Sequence, residues 1–448
     1  MITVIEPKGE ISNLWGNQPV IEDISYRMMK YVIRVDYEGA VLLHNVVTGH
    51  LVVLDQEESK ALVKAPIYYS PLLDTLIVHH FIVPEQYDEH KYVSNMRIIL
   101  RKLADRKQAS ELTFYTILPT TACNARCYYC FEKDVEPATM TKDTAEGVVK
   151  FITAHCNGKK VWLKWFGGEP TVAADRITQI CKGLKKNGVL FNSIMTTNGY
   201  LFDKSLATEA RDLWNLKRVT LSMDGTGEVY NRIKDYKNAV GNPYDRVLHN
   251  VGVLIEQGIK VTVRMNFDQR NFIDFKKLLS EISMLYSPTP LLSVRAHFIN
   301  DTQIVNGVPI YHGSEEWYNE KILELNQLSE TAGFLRKDNY LPSLSYRWCP
   351  AASLRSVTIT PQGNLVSCYE LLDNSEIKGN VNDGITDTGI VKGWLRYADE
   401  LKCSGCVLFP HCGKIYKCPR NQACYQKNEL LYNAKNSIID AYNLFCAQ

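Results

Sequence analysis

Short apolar runs alternate with amphipathic stretches through the middle of the chain, from residue 112 to residue 298. Short apolar or β-branched runs predict strands, whereas apolar residues spaced three and four positions apart predict helices. The predicted strands are 112–118, 161–166, 193–197, 218–223, 260–267 and 292–298, and the predicted helices between them are 144–155, 173–186, 204–214, 244–257 and 271–283. This alternation predicts an α/β fold with a parallel sheet and right-handed crossovers. An open doubly wound sheet and a curved partial barrel share this pattern.

The two flanks of the chain follow other patterns. Before residue 105, three strand-like runs separated by Glu-Gly and Thr-Gly turn signals precede a helical pattern that begins after Asp55, a plausible N-cap. The strand-like runs are 31–37, 40–45 and 51–55, the helical pattern is 56–63, and a predicted helical linker is 95–108. Beyond about residue 340, short pieces rich in Cys, Gly and Pro replace the alternation. We therefore predict three domains, 1–105, 106–335 and 336–448.

Composition and charge narrow the class of protein. The 448 residues are 45% hydrophobic and 22% charged, which is ordinary for a globular protein with a real core. A formal net charge of +2 gives no reason to expect nucleic acid or an anionic membrane as a partner. The chain has no apolar run as long as a transmembrane helix, and its first residues lack the apolar stretch of a signal peptide. We expect a cytoplasmic protein that binds neither nucleic acid nor membrane.

The cysteines are clustered. Ten of the 13 lie within 123–130 and 349–424, and in a long chain without an export signal such clusters indicate metal ligands rather than disulfides. Cys123, Cys127 and Cys130 follow the first predicted strand with the spacing Cys-x3-Cys-x2-Cys. Three thiolates can hold three irons of a four-iron cluster and leave the fourth open to a small molecule. A zinc knuckle needs a fourth ligand, and no further Cys or His lies near this loop.

Polar residues follow the other strands, at the ends where parallel α/β barrels gather ligand groups. After the second strand, Gly167 and Gly168 let the backbone approach a ligand and Glu169 supplies an acceptor, although a simple strand-to-helix turn has the same sequence. Arg264, on the fifth strand, has a guanidinium fork that matches a carboxylate, and the alternative is an ordinary ion-paired arginine.

The third and fourth strands end on further polar groups. Thr197 and Asn198, at the end of the third strand, suit the hydroxyls of a ribose. Ser222 and Asp224 lie at the end of the fourth strand. Each pair could instead cap the following helix or form a turn.

The cysteine loop resembles the signature of the radical S-adenosylmethionine (SAM) superfamily, in which an aromatic residue, here Tyr129, precedes the third cysteine. The turn from Gly167 to Pro170 resembles the superfamily's Gly-Gly-Glu-Pro motif. The resemblance implies a six-stranded partial (β/α) barrel and a 4Fe-4S cluster whose open iron is chelated by SAM. Reduction then cleaves SAM to a 5′-deoxyadenosyl radical. The SAM contacts that the resemblance implies are Tyr129, Gly167, Gly168, Glu169, Pro170, Thr197, Asn198, Ser222, Asp224 and Arg264.

Seven further cysteines lie near the C-terminus. Taken alone, they would suit one or two zinc-ribbon sites. Beside a radical SAM core they resemble the SPASM domain, an extension that implies two auxiliary 4Fe-4S clusters. By analogy the first cluster would use Cys349, Cys368 and Cys418, and the second Cys403, Cys406, Cys412 and Cys424.

One spacing departs from the SPASM pattern. Five residues separate Cys412 from Cys418, where the family usually has three, so the division of Cys418, Cys424 and Cys446 between the sites stays open. Seven cysteines rather than eight suggest that the first auxiliary cluster has an open iron at which a substrate thiolate could bind.

These resemblances imply a peptide-modifying enzyme. SPASM extensions accompany the modification of peptides and proteins, and the N-terminal α+β module resembles a leader-peptide recognition element. We expect a radical SAM/SPASM maturase that crosslinks a ribosomally made precursor peptide, with a Cys thioether to carbon as the expected bond. Its cofactors would be SAM and three 4Fe-4S clusters. Its partners would be the precursor peptide with its leader and a flavodoxin or ferredoxin-type reductant.

Two alternatives remain open from the sequence. One is a formylglycine-generating sulfatase maturase, which would not need the N-terminal module. The other is a non-catalytic iron–sulfur protein for electron transfer or scaffolding, against which the intact Gly-Gly-Glu-Pro motif argues.

Overall fold

The computed structural model describes residues 2–6, 16–60, 62, 66–106, 111–299, 304–305, 308–309, 313–336, 341–345, 349–394, 403–414, 417–418, 424 and 426–447.

The strands in chain order are β1 Thr3–Ile5, β2 Ser25–Met28, β3 Val32–Tyr37, β4 Ala40–Asn45, β5 Leu51–Leu54, β6 Ile67–Tyr68, β7 Ile82–Pro84, β8 Phe114–Ile117, β9 Val161–Trp165, β10 Phe191–Thr197, β11 Leu216–Ser222, β12 Lys260–Phe267, β13 Leu292–Phe298, β14 Ile304–Val305, β15 Val308–Pro309, β16 Ser356–Ile359, β17 Asn364–Val366, β18 Gly379–Asn380 and β19 Gly384–Ile385. The α-helices are α1 Gln56–Lys60, α2 Asp74–Val78, α3 Glu89–Arg106, α4 Lys142–His155, α5 Ala174–Lys186, α6 Lys204–Asp212, α7 Gly227–Lys234, α8 Pro243–Glu256, α9 Phe275–Leu285, α10 Glu315–Thr331, α11 Thr388–Trp394 and α12 Lys427–Cys446.

A ten-stranded sheet forms the centre of the molecule, in the order β13-β12-β11-β10-β9-β8-β16-β17-β18-β19. Every pair from β13 to β16 is parallel, whereas the pairs from β16 to β19 are antiparallel. The six strands predicted from the alternation are all present, and β12 and β13 have the predicted bounds. The α/β class with a large parallel sheet is therefore confirmed. The sheet continues through β16, which lies beyond the predicted domain boundary at residue 336.

The two faces of this sheet differ. On β12, Val261, Val263 and Met265 are buried in the core that the helices cover. The residues between them, such as Thr262, point to the opposite face because side chains alternate along a strand. We call this opposite face the inner face. Its residues Thr220, Thr262 and Ser293 are register partners on β11, β12 and β13. The inner face is thus polar and available for a site.

The N-terminal module contains two small antiparallel sheets, β1-β5-β4-β3 and β6-β2-β7. The three predicted strands correspond to β3, β4 and β5, whereas β1, β2, β6 and β7 were not predicted. These four have only two to four residues each, too few to show a clear alternation. The predicted helix 56–63 is α1, and its positions 61 and 63 lie outside the described residues.

The predicted linker 95–108 belongs to α3, a helix that is partly buried and begins earlier, at Glu89; residues 107 and 108 lie outside the described part. Arg97 is 1% exposed, and its guanidinium donates to the backbone carbonyls of Phe409 and Cys412 and lies 4.6 Å from the Phe409 ring centroid. Arg101 donates to the carbonyl of Ala352. The helix therefore joins the N-terminal module to the Cys-rich C-terminal region rather than only spanning a gap.

A second contact joins the same two regions. Leu42 and Val46 of the N-terminal sheet pack with Leu408 and with Ala434 and Ile438 of α12 in one apolar cluster. Among the helices of the described chain, none is long and apolar enough to cross a bilayer.

Candidate functional site

The cysteine loop lies between β8 and α4 and is held by hydrogen bonds on both sides. Thr121 donates to Glu136 O at 2.9 Å and accepts from Ala138 N at 2.8 Å. Asn198, after β10, donates from Nδ2 to Asn124 Oδ1 at 2.7 Å. These contacts hold the loop against the neighbouring elements of the fold.

The three thiols of this loop are partly buried. Burial, then the charge of Glu169, raises the pKa of the Cys123 thiol to about 12, and burial raises that of Cys130 to about 11. Burial also raises the pKa of Cys127. Thiolates in such surroundings are unfavourable unless a cationic centre faces them. The donor set therefore fits an iron–sulfur cluster bound by three cysteines.

The two glycines after β9 serve the cysteine loop. A Cβ on Gly168 would lie 2.3 Å from Ala122 O and 2.4 Å from Thr121 O, and one on Gly167 would lie 2.3 Å from Thr120 O. Gly167 also has φ +102°, a conformation that favours glycine. In the structure these glycines make room for the backbone of the cysteine loop. The motif thus positions the three thiols. The contact of these glycines with a ligand stays a prediction.

Glu169 is fully buried and organises the ends of two strands. Its Oε1 accepts from Thr171 N at 3.1 Å and from the hydroxyls of Thr171 and Thr197 at 2.5 and 2.7 Å, while its Oε2 accepts from Asn198 N at 2.7 Å. Because Oε1 accepts three hydrogen bonds and Oε2 only one, a further donor such as an ammonium group would approach the carboxylate at Oε2. Burial raises the pKa of Glu169 even though its hydrogen bonds lower it. Pro170 begins the 3-10 turn that Glu169 caps.

A second network surrounds Asp224, which is also fully buried. Lys234 Nζ lies 2.7 Å from Asp224 Oδ2 and donates to Ser222 Oγ at 2.8 Å. Tyr129 donates its hydroxyl to Asp224 Oδ2, and Asn266 donates from N and Nδ2 to Oδ1, each at 2.9 Å. The carboxylate is thus saturated by three residues, which come from α7, the cysteine loop and β12.

Burial and neighbouring charges set the protonation states of Tyr129 and Lys234. Burial and then Asp224 raise the pKa of Tyr129 well above its usual range, so the phenol keeps its proton. Burial alone would lower the pKa of Lys234, but Asp224, Cys127 and the nearby phenols raise it well above its usual value. A cation therefore lies beside the cysteine loop.

The structure brings most of the predicted SAM residues together. Glu169, Thr197 and Asn198 share one network, and Tyr129, Ser222 and Asp224 share the other. Arg264 is the register partner of Ser222 on one side and of Arg295 on the other, so it borders the second network.

The C-terminal cysteines form two groups. Cys349, Cys368 and Cys418 pack around Ala352 and Trp394. Burial raises the pKa of the Cys368 thiol to about 12, with contributions from Cys349 and Cys418.

The second group lies against the N-terminal module. Cys403 and Cys406 pack on an apolar cluster that contains Tyr31, and Cys412 is close enough to Cys424 for that thiol to raise its pKa, although burial is the larger cause. Cys446 is exposed at the end of α12 and interacts with Tyr442. The division that the SPASM resemblance implied is compatible with this placement, and ligation itself stays a prediction.

Comparison with known proteins identifies the central part of the chain. The sequence profile of the radical SAM superfamily matches residues 117–282. The chain carries a radical SAM domain. Such a domain uses SAM and an iron–sulfur cluster, in agreement with the thiols and networks described above.

Two curated relatives are similar to parts of the chain. GTP 3′,8-cyclase of Clostridium perfringens (strain SM101 / Type A) is 27% identical over 299 residues, which are 63% of this chain and 88% of that protein. Fe-coproporphyrin III synthase of Methanosarcina barkeri is 29% identical over 157 residues, 35% of this chain and 37% of that protein.

Two solved structures share the fold. anSMEcpe with bound AdoMet has a TM-score of 0.59 at 17% identity and covers 73% of this chain and 98% of its own. SuiB of Streptococcus suis bound to S-adenosylmethionine has a TM-score of 0.51 at 15% identity and covers 89% of this chain and 99% of its own.

Aromatic residues connect the radical SAM domain to the first C-terminal cysteine group. Phe131 follows Cys130 and Tyr369 follows Cys368, and their ring centroids are 6.4 Å apart. Phe166 stacks on Phe131 at 6.2 Å and lies 4.2 Å from Tyr369. The two thiol groups thus approach each other across three packed rings.

Sequence reasoning missed Lys234. It is the last residue of α7 and 1% exposed, whereas a lysine at a helix end is usually solvated. The sequence does contain a signal that Lys234 is buried: it lies one turn after Tyr230, on the apolar face of the helix.

Proposed function

We propose that this radical SAM enzyme modifies a ribosomally made precursor peptide. The observation that carries the proposal is the packing of Cys403 and Cys406 against the N-terminal module, through the cluster that contains Tyr31 and Phe409. A module of this kind beside a thiol site suits an enzyme that holds one part of a peptide while another part reacts.

The structural neighbours support a peptide substrate. SuiB has been solved bound to the precursor peptide SuiA, and that structure covers 89% of this chain. anSMEcpe has been solved with AdoMet and the Cp18Cys peptide. Because SuiB covers more of this chain than anSMEcpe does, part of its similarity extends beyond the region shared with anSMEcpe.

In this proposal Cys123, Cys127 and Cys130 hold the cluster that binds SAM. The bound cofactor supplies a radical that removes a hydrogen atom from an unactivated C–H bond. Glu169 receives the SAM ammonium at its free Oε2 position. The contacts proposed around the rest of SAM are Tyr129, Gly167, Gly168, Pro170, Thr197, Asn198, Ser222, Asp224 and Arg264.

The C-terminal cysteines would hold two auxiliary 4Fe-4S clusters. The first would use Cys349, Cys368 and Cys418, leaving one iron open for a substrate thiolate. The second would use Cys403, Cys406, Cys412 and Cys424. Formation of a thioether replaces one S–H and one C–H bond by an S–C bond, so the peptide loses two hydrogens. The 5′-deoxyadenosyl radical would take up the hydrogen atom of the C–H bond, the thiol proton would be released, and the remaining electron would pass to the auxiliary cluster.

The N-terminal module, residues 1–105, would bind the leader of the precursor. An extended leader can add a strand at a sheet edge or lie along a helix. The edge strands β1 and β6 offer such positions, and Tyr68 on β6 is 74% exposed. A flavodoxin or ferredoxin-type protein would supply the electron, and the cytoplasm would be the place of reaction.

Radical chemistry on a nucleotide is a second candidate. GTP 3′,8-cyclase is similar over 63% of the chain, and the inner face carries a group of arginines that would suit phosphates. The peptide proposal accounts in addition for the N-terminal module and the two C-terminal thiol groups.

The test begins with anaerobic reconstitution of the full chain. Three four-iron clusters predict about 12 iron per chain, whereas a single cluster predicts about 4. Reductant and SAM should then yield 5′-deoxyadenosine. Cys127→Ala should abolish this product, and Cys156→Ala, which removes a buried thiol of the core, should retain it.

Co-expression with a Cys-containing peptide encoded beside the gene then tests the substrate. Mass spectrometry should show a peptide lighter by two hydrogens that resists thiol alkylation. Absence of 5′-deoxyadenosine from protein with full iron content would refute the proposal that this protein is a radical SAM enzyme. Turnover with GTP and none with the peptide would favour the nucleotide candidate.

A further inference from the structure

A cavity of about 350 Å³ lies on the inner face of the sheet, against β11, β12 and β13. Three arginines line it, Arg218, Arg264 and Arg295, together with the hydroxyls of Thr262 and Ser293. The two hydroxyls are hydrogen bonded to each other at 3.0 Å. The cavity is therefore cationic and lined by hydrogen-bond donors.

The cavity adjoins the Asp224 network. Arg264 is the register partner of Ser222, whose hydroxyl accepts from Lys234. Arg264 and Asn266 are two residues apart on one strand, so their Cα atoms are about 6.6 Å apart on the same face. Arg264 is itself one of the proposed SAM contacts, so a group bound in this cavity would lie beside the SAM site.

Among the described residues, a carboxylate faces one of the three arginines. Glu429 Oε1 lies 3.6 Å from Arg295 and also accepts from Asn326 at 2.7 Å. The ion pairs among the described residues include none with Arg218. Like charges that line one cavity repel each other, and a bound anion would remove this cost. A guanidinium binds carboxylates and phosphates in the same two-point geometry.

We propose that this cavity binds the carboxylate of an acidic side chain of the substrate peptide. This inference rests on the proposed function and deepens it, because it names a residue class of the peptide that the enzyme would hold on the inner face of the sheet. The volume is at the lower end of that of ligand pockets, which suits one amino-acid side chain with its neighbouring backbone. A phosphate group of a nucleotide shares the same chemistry, so the experiment includes it.

The experiment measures binding to the reconstituted full-length enzyme in the presence of SAM by anaerobic calorimetry. The probes are a short Cys-containing peptide with one Asp, the same peptide with Asn in its place, and GTP. Arg218→Gln removes one cavity charge. Lys217→Gln is the matched control, because it removes a positive charge from the next residue of β11, which lines a different pocket on the other side of the strand.

The Asp peptide should bind about tenfold more tightly than the Asn peptide, as expected for one charge-assisted hydrogen-bonded pair. Arg218→Gln should remove most of this difference, while Lys217→Gln should preserve it within about twofold. Both variants should still form 5′-deoxyadenosine from SAM, which shows that the fold and the SAM site are intact.

The outcomes separate the two proposals. Equal, Arg218-independent binding of both peptides would overturn the carboxylate site and leave the peptide function standing. Arg218-dependent binding of GTP, without binding of either peptide, would overturn the peptide function and assign the cavity to a phosphate. Binding of none of the probes up to about 10 mM would overturn the anion site, because even a weak site would be occupied there.

Discussion

Replacement of Lys234 by methionine tests the buried network most directly. The side chains of Lys234 and Asp224 are 2% and 0% exposed and form an ion pair of 2.7 Å. Methionine keeps most of the length and volume of lysine, but it leaves the carboxylate of Asp224 buried without this cationic partner. The hydrogen bond from Lys234 to Ser222 is lost as well.

The magnitude follows from this burial. Removing one partner of a buried ion pair costs about 3 to 5 kcal/mol, because the remaining charge is uncompensated. Dividing by a slope of about 3 kcal/mol per molar urea gives a midpoint about 1 M lower. Adding Asp224→Asn to Lys234→Met removes the uncompensated charge, so the double variant should be more stable than Lys234→Met alone.

The assay is urea unfolding of the cluster-free full-length chain, followed by circular dichroism. Lys237→Met is the matched control, because this lysine lies three residues further on and is exposed. Its free energy of unfolding should change by no more than about 0.5 kcal/mol, as for ordinary surface substitutions. Equal midpoints for Lys234→Met and Lys237→Met would refute the argument that the pair is a buried structural element.

Three further predictions concern separate parts of the molecule. Burial lowers the pKa of the fully buried His44 from 6.5 to about 4, so native stability is lost as pH falls through this window. Between pH 7 and pH 5, His44→Gln should reduce that loss by about 2 kcal/mol, and the exposed His249→Gln should not. Urea unfolding at pH 7 and pH 5 checks this, and an unchanged pH dependence in His44→Gln would contradict it. Gly168→Ala should displace the cysteine loop, so that about 4 iron per chain and all 5′-deoxyadenosine formation are lost. Gly188→Ala adds backbone strain at φ +72° but has open space around it and lies away from the loop, so both should be kept. Cys446→Ala should keep the full iron content because this cysteine is exposed; a loss of about 4 iron would make it a ligand.

The parts that the sequence predicted well are those with a local signal. Strands β12 and β13 alternate apolar and polar residues throughout, so both ends could be placed. One short loop contains Cys123, Cys127 and Cys130, so the sequence alone could predict that their thiols lie together. Glu169 could be singled out because it stands directly after two glycines.

The parts that it missed depend on contacts distant in sequence. Strand β16 has a β-branched run, but its pairing with β8 across the sheet cannot be deduced from that run. Helix α10 is an exception, because Ser314 followed by two acidic residues is a local signal for the start of a helix that was not predicted. The packing of Gly167 and Gly168 against the cysteine loop was not predicted, because the approach of that loop is visible only in three dimensions.

Helix α3 makes the two C-terminal thiol groups depend on the N-terminal module. Arg97 donates to the carbonyls of Phe409 and Cys412, beside the second group, and Arg101 donates to the carbonyl of Ala352, beside the first. Both arginines are buried, so neither contact can be replaced by water without cost. If the module binds a leader peptide, any resulting displacement of α3 must change the backbone around both thiol groups. A leader that leaves α3 in place would act only by raising the local concentration of the reacting segment, and the iron sites would be the same with and without it.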